Sequence, residues 1–170
     1  MVLAKQIIES MEQWAPPHYA ESWDNVGLMV GSKQRDVSKI ITTLDITSEV
    51  IEYAIVEQAQ MIISHHPFIF KGLKSLHLDS PQGKLIEKLI KNDIVVYSAH
   101  TNLDITIGGL NDMLANRLGL TNVRGFVPTG SDMVYKITTF VPTDSADAVR
   151  EAMASAGAGR IGNYESCSFS

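Results

Sequence analysis

The sequence predicts an α/β fold: a mixed, largely parallel sheet with helices on both faces. Three observations predict it. Strand-like and helix-like segments alternate through the first 120 or so residues. The strand-like segments are continuously apolar, the pattern of strands covered on both faces rather than wetted on one. Apolar residues make up 45% of the 170-residue chain and charged residues 19%, which supports a buried core and argues against disorder. That length suits one ordinary domain, or one domain and part of a second.

The elements follow in order. Val2, Leu3, Ile7, Ile8 and Met11 recur at helical spacing until Pro16-Pro17 stops the pattern, so a helix is expected over about 2–14. A loop with Trp23-Asp24-Asn25-Val26-Gly27 leads to a short apolar run, Leu28 to Val30. Lys39 to Asp45 (KIITTLD) is rich in β-branched residues and reads as a buried strand. Thr47 or Ser48 can cap the next helix, whose apolar face is Val50, Ile51, Ala54 and Ile55. Met61 to Ser64 (MIIS) is a strand with His65-His66-Pro67 at its end. Ser80-Pro81 opens a helix to about Lys91, with proline in its first turn. Ile94 to Tyr97 (IVVY) is a third strand and ends at Ser98-Ala99-His100. Gly109 to Leu118 is a helix with Gly119 as its C-cap.

The composition breaks at Thr121 to Asp132, and 126–132 reads as a linker. Beyond it, Met133 to Val141 reads as a strand, Asp144 to Ala156 as a helix and Gly157 to Gly162 (GAGRIG) as a turn. This last segment fails as a dinucleotide loop because it follows a helix rather than a strand. One strand, one helix and a short tail are too little for an independent core, so 133–170 looks like the opening of a second domain. Residues 1–125 form the first.

Several function classes are disfavoured. Fourteen basic against nineteen acidic residues give a net charge of −5 with no basic tract, which leaves nucleic-acid binding by counterion release little to stand on. The single cysteine, Cys167, allows no disulfide within the chain and fits a reducing cytoplasm. The first eleven residues carry no long apolar core and no small-residue cleavage site, so no signal peptide is expected. No apolar run approaches the ~18 residues of a membrane span.

The sharpest chemical signal is His65-His66. Neighbours on extended backbone point to opposite sides, so the pair can serve two ions, or one ion and its surroundings. Imidazole suits zinc, iron and similar metals. The plainer alternative is a polar loop with two incidental histidines. The companion signal is His100-Thr101-Asn102-Leu103-Asp104 at the end of another strand. A carboxylate near two imidazoles completes the ligand set of a catalytic metal site, and in parallel sheets such sites form at strand carboxyl ends. Asp104 is the candidate ligand; His100 ligates or orients a water. Asp24 is an outer carboxylate or general base, although spacing alone makes Trp23-Asp24-Asn25 a turn. Asp24 and His100 are therefore the candidate catalytic residues, and His65, His66 and Asp104 the candidate metal ligands. Lys71 can meet a phosphate but more often such a lysine is solvated. His18 and His77 read as surface residues, and nothing near Cys167 activates its thiol.

Three stretches, Glu21 to Leu28 (ESWDNVGL), Ser64 to Leu76 (SHHPFIFKGLKSL) and Ser98 to Asp104 (SAHTNLD), together resemble the Nif-three-like family, whose bacterial members carry the name GTP cyclohydrolase 1 type 2 homolog. The tail from Met133 to Ser170, with GAGRIGNYESCSFS, is similar to the start of the ferredoxin-like α+β domain of PII or CutA type that is inserted in longer members. The resemblance implies a dinuclear site with two divalent ions, zinc or iron, per complete subunit. His65 and His66 would give one ligand to each ion and Asp104 another. The family's remaining ligands, a histidine and a bridging glutamate, lie after the inserted domain and match no residue here. A chain ending at Ser170 is thus expected to be a fragment that binds metal weakly or binds one ion. The resemblance also implies a homohexamer and a small-molecule substrate such as a nucleotide. The expected function is a metal-dependent hydrolase working through a metal-activated water; the alternative is a non-enzymatic metal-binding scaffold. Nothing in these motifs by themselves reads guanine.

Overall fold

A computed structural model describes residues 1–125, 135–160 and 164–169. The chain divides into two compact units, Met1–Gly130 and Ser131–Ser170.

The first unit is built on a four-stranded sheet. In chain order its strands are β2 (Gly27–Val30), β4 (Ile40–Thr43), β5 (Met61–Ser64) and β6 (Val95–Ser98), and their order across the sheet is β2-β6-β5-β4. A two-residue ribbon accompanies it, β1 (Val2–Leu3) against β3 (Asp36–Val37). The helices are α1 (Ala4–Trp14), α2 (Ser48–Val56), α3 (Pro81–Lys91), α4 (Thr101–Ile105) and α5 (Leu110–Arg117).

β4, β5 and β6 run parallel, and β2 is antiparallel to β6. The apolar strands are covered on both faces because successive residues point to opposite sides. Ile62 and Val96 pack with Ile51 and Ala54 of α2 and Leu89 of α3. Their neighbours Met61, Val95 and Tyr97 pack with Ala4 and Ile8 of α1. The expected α/β architecture is therefore observed.

Local chemistry fixes the ends of the helices. The Thr47 side chain accepts from the Val50 N–H at 3.3 Å and Ser80 from the Gly83 N–H at 3.0 Å, each a side-chain N-cap. Gly119 takes a left-handed φ of +72° after α5, where a Cβ would be disfavoured.

Three expectations change. Val2 and Leu3 are not helical; they pair with β3, and the helix starts at Ala4. Between the third strand and the Gly109 helix, where no element was expected, α4 intervenes and carries Asp104. Of the strand expected at Met133 to Val141, residues 133–134 lie outside the described residues and 135–141 join no ladder. A strand of the right composition needs a partner to pair with, and no described segment supplies one there. The expected linker at 126–132 lies outside the described residues.

In the second unit, α6 (Ala146–Ser155) follows a single turn of 3₁₀ helix at Thr143–Ser145. No described residue of this unit is buried. Ile137, Val141, Val149, Met153 and Phe169 border an open, mainly apolar hollow of about 640 Å³. No helix among the described residues is long and apolar enough to cross a membrane.

Candidate metal centre

Sheet register assembles the site. Thr43, Ser64 and Ser98 stand in one row across the parallel strands. Whatever follows them leaves the sheet on the same edge: Leu44-Asp45, His65-His66 and Ala99-His100. β2 runs the other way with Gly27 opposite Ser98, so the residues before it, Asp24 among them, reach that edge too. Four chain segments converge because three strands end there and one begins there.

Hydroxyl groups beneath the histidines hold the turn. The buried Ser64 and Ser98 hydroxyls lie 2.8 Å apart, and Ser64 Oγ also donates to the His66 carbonyl at 2.8 Å. The backbone amides of His65 and His66 donate to the carbonyls of Thr43 and Leu44 at 3.1 and 2.9 Å. β5 has ended at Ser64, so the alternation of an extended strand no longer governs the pair. The two rings do not diverge: their centroids are 5.2 Å apart. His100 joins them at 5.1 Å from His65 and 5.6 Å from His66. One ring nitrogen from each of the three lies within 4.8 Å of the others.

Each imidazole is held by the same device. His65 Nδ1 lies 3.0 Å from the Ala99 carbonyl oxygen. His66 Nδ1 lies 2.7 Å from Asp45 Oδ1. His100 Nδ1 lies 2.9 Å from Asp24 Oδ1. A carbonyl or carboxylate oxygen only accepts, so each Nδ1 carries a hydrogen, and Nε2 is the nitrogen left to serve as a ligand. That is the arrangement in which an imidazole ligates a metal through Nε2 while a second group fixes its orientation. Asp104 adds a carboxylate, with Oδ1 at 3.7 Å from His65 Nε2.

Asp24 is the most constrained group of the site, with a fully buried side chain. Burial pushes its carboxyl upward. The hydrogen bonds it accepts from the Thr101 hydroxyl, His100, and the backbone N–H groups of Asn25 and Thr101 outweigh that, and the net effect holds it below the ordinary aspartate range. The turn expected for Trp23-Asp24-Asn25 is also present, closed by the Asp24 N–H on the Glu21 carbonyl at 2.9 Å. One residue thus shapes the turn with its backbone and holds His100 with its side chain. α4 is anchored in turn: the buried Asn102 side chain donates to the Ala15 carbonyl at 2.7 Å and accepts from the His100 N–H at 2.9 Å.

All five sequence-selected residues, Asp24, His65, His66, His100 and Asp104, therefore meet at one edge. Asp45 and Thr101 belong to the same network and were not singled out. Asp45 ends the KIITTLD strand, so the rule that sites gather at strand carboxyl ends was the available signal for it. Lys71 and His77 are exposed, Cys167 is free and exposed, and His18 stacks edge-on against Tyr19.

The donor set suits a divalent metal. Three imidazole nitrogens close together and oriented from behind, with one carboxylate beside His65, are of the types that zinc and iron take.

Residues 2–169 match the family model described as Duf34/NIF3 (NGG1p interacting factor 3). A Bacillus subtilis protein named GTP cyclohydrolase 1 type 2 homolog is 44% identical over 169 residues, 99% of this chain and 45% of the relative. The crystal structure of a Bacillus cereus protein related to NIF3 aligns with 99% of this chain and 47% of its own, at 41% identity and a TM-score of 0.71. Reduced HcgD from Methanocaldococcus jannaschii aligns with 76% of this chain and 52% of its own, at 37% identity and a TM-score of 0.69. The chain spans about half the length of the curated relatives it matches.

Proposed function

This chain belongs to the Duf34/NIF3 family, and from that premise we propose that it is a metal-dependent hydrolase-like protein whose centre is held by His65, His66 and Asp104. One observation carries the reading: every imidazole at the edge has its Nδ1 tied to an acceptor oxygen, and one ring nitrogen of each lies within 4.8 Å of the others. A polar cluster with no ligand to serve has no need of three such orienting partners.

The roles follow from the contacts. His65 and His66 present nitrogen donors, and Asp104 presents a carboxylate beside His65. Asp24 keeps the His100 ring fixed by its Nδ1 hydrogen, so that Nε2 is free either to join the ligands or to hold a proton beside them. A divalent ion of the zinc or iron kind, when bound, would supply Lewis acidity and lower the proton affinity of a water. The donors on this chain suffice for one ion. The two-ion centre that the resemblance implies needs further ligands. The relatives' name points to a nucleotide such as GTP as substrate.

A second reading, a non-enzymatic metal-binding scaffold, is favoured by the family description, which names an interacting factor. One experiment separates the readings. Purified protein and a His65→Ala, His66→Ala variant are assayed for bound transition metal by elemental analysis, then incubated with GTP and phosphoester substrates. Expected are a bound divalent ion in the parent, at least a tenfold loss of metal affinity in the variant, since losing even a residue that only orients a ligand costs about that much, and turnover by the parent alone. Equal turnover by both overturns the hydrolase reading, and a parent that takes up no transition metal overturns the metal centre.

A further inference from the structure

Beside the histidines stands an aromatic pair that the metal centre does not use. The Trp23 ring centroid lies 6.0 Å from that of Phe70, with the planes tilted by 55°. It lies 6.3 Å from His100, nearly perpendicular to it at 77°. Trp23 is 58% exposed and Phe70 45% exposed. Large exposed apolar side chains occur elsewhere on this chain, so exposure alone says little. What sets this pair apart is that it is exposed, rigidly mounted and adjacent to the polar centre at once.

The mounting has three attachments. The Trp23 turn closes on itself through the Asp24 N–H to the Glu21 carbonyl. The Glu21 N–H donates to Thr101 Oγ1 at 3.0 Å, tying the turn to the start of α4. The Asn25 side chain donates to the Ile69 carbonyl, fixing the turn to the segment that carries Phe70. An indole on a mobile loop can fold down and cover its face. This one is held out in water, which costs free energy unless something covers it.

We infer that Trp23, buttressed by Phe70, is a stacking platform for a planar heteroaromatic ring, bound with its polar edge toward His65, His66 and His100. The platform is apolar and offers a π face, whereas the neighbouring edge offers nitrogen donors and carboxylates. A ligand matching both needs a flat π system and heteroatoms on its rim. A sugar lacks the first and a simple arene the second. The 6.3 Å spacing from Trp23 to His100 is that of directly packed rings, so a ring stacked on the indole lies beside the imidazoles. The orientation toward a reacting centre rests on the metal-dependent reading above; the stacking itself does not need the ion.

The test measures binding by calorimetry, with guanosine, ribose and inorganic triphosphate as probes. Each is titrated into metal-loaded and chelator-treated protein, using the parent and the Trp23→Phe, Trp23→Leu and Phe70→Leu variants. Guanosine is expected to bind the parent, to bind Trp23→Phe within about threefold, and to lose about tenfold or more with Trp23→Leu, the usual effect of removing a base-stacking aromatic. Phe70→Leu should lose less. Ribose should not bind, and any triphosphate binding should be indifferent to Trp23. The inference is overturned if guanosine does not bind, if Trp23→Leu binds it as the parent does, or if Trp23→Leu changes only the sedimentation of the protein, which would make the aromatic pair a subunit contact. Trp23-dependent binding to a protein that takes up no metal leaves the platform standing and the metal reading fallen. Metal uptake without Trp23-dependent binding does the reverse.

Discussion

The two units of this chain have similar raw materials and different outcomes. The first buries Ile62, Val96, Met61 and Tyr97 completely, between helices on both sides of a sheet. The second has an equally plausible helix and an equally plausible apolar strand sequence, yet none of its described residues is buried. The difference is not local propensity. α6 forms where its periodicity places it. Among the described residues, the apolar side of the second unit stays uncovered: Ile137, Val141, Val149 and Met153 border an open hollow. Periodicity can say that a face will be apolar. Only a partner surface turns that face into a core.

The largest effect expected from this contrast is a pair of core truncations. Ile62→Ala removes a fully buried side chain from the middle of β5 and should destabilise the first unit by about 2–4 kcal/mol. Met153→Ala, at a partly exposed position in α6, should cost the 170-residue chain less than about 0.5 kcal/mol. Urea denaturation followed by circular dichroism reads both. A Met153→Ala cost matching that of Ile62→Ala would break the comparison, because the second unit would then have a core of its own.

The same contrast explains what the sequence made legible. β5 and α3 are where they were expected because MIIS is continuously apolar and Ser80-Pro81 caps and starts a helix. The histidine pair stood out because two adjacent imidazoles at a strand end offer the nitrogen donors that metals take. Elements fixed by long-range pairing were not legible. The ribbon of β1 and β3 is two residues long on each side, too short to show a period. The antiparallel direction of β2 is invisible in GLMV, yet it is what delivers Asp24 to the site. α4 was missed because TNLDI holds too few residues for a helical pattern. The divergence expected of His65 and His66 failed because both residues lie past the end of β5, in a bend where strand alternation no longer holds. Trp23 read as part of a turn, which it is; its place beside Phe70 depends on Asn25 reaching Ile69 across the edge.

Within the first unit the contrast can be sharpened at Asp24, a charged residue whose side chain is shut off from water. Asp24→Asn keeps the shape but places an amide NH₂ where only donors point, so at least one of His100, Thr101 and Asn25 loses its acceptor. A loss of about 2–3 kcal/mol is expected at neutral pH, the cost of an unsatisfied buried hydrogen bond to a charged group. The pH dependence carries a sign. The folded carboxyl titrates below its unfolded value of about 3.9, so its contribution is present above that pH and drains away as the pH falls through the lower folded value. The gap between parent and variant should therefore be constant near neutrality and narrow below about pH 4. A gap that stays constant down to pH 2 would mean that the carboxylate's charge is not what the network stabilises.

The smallest effect lies at Tyr97, on the opposite face of the sheet from α2 and α3. Its ring is part of the core with Ala4, Ile8 and Met61, but its hydroxyl is buried with no hydrogen-bond partner among the described residues. Burial, and then the charge of Glu12, push its pKa up to about 12. The unfolded phenol ionises near 10, so the unfolded state gains from ionisation first. Stability that is complete below about pH 10 is lost as the pH rises toward the folded value of about 12. Tyr97→Phe removes both features. It keeps the packed ring, deletes an unsatisfied polar atom and removes this alkaline term, so the variant should match the parent or exceed it by up to about 1 kcal/mol near neutrality. Its advantage should widen above pH 10. Thermal unfolding at pH 7 and pH 10.5 reads both quantities. A variant less stable than its parent at pH 7 would show that the hydroxyl has a partner, and that this part of the core, unlike the apolar side of the second unit, is satisfied throughout.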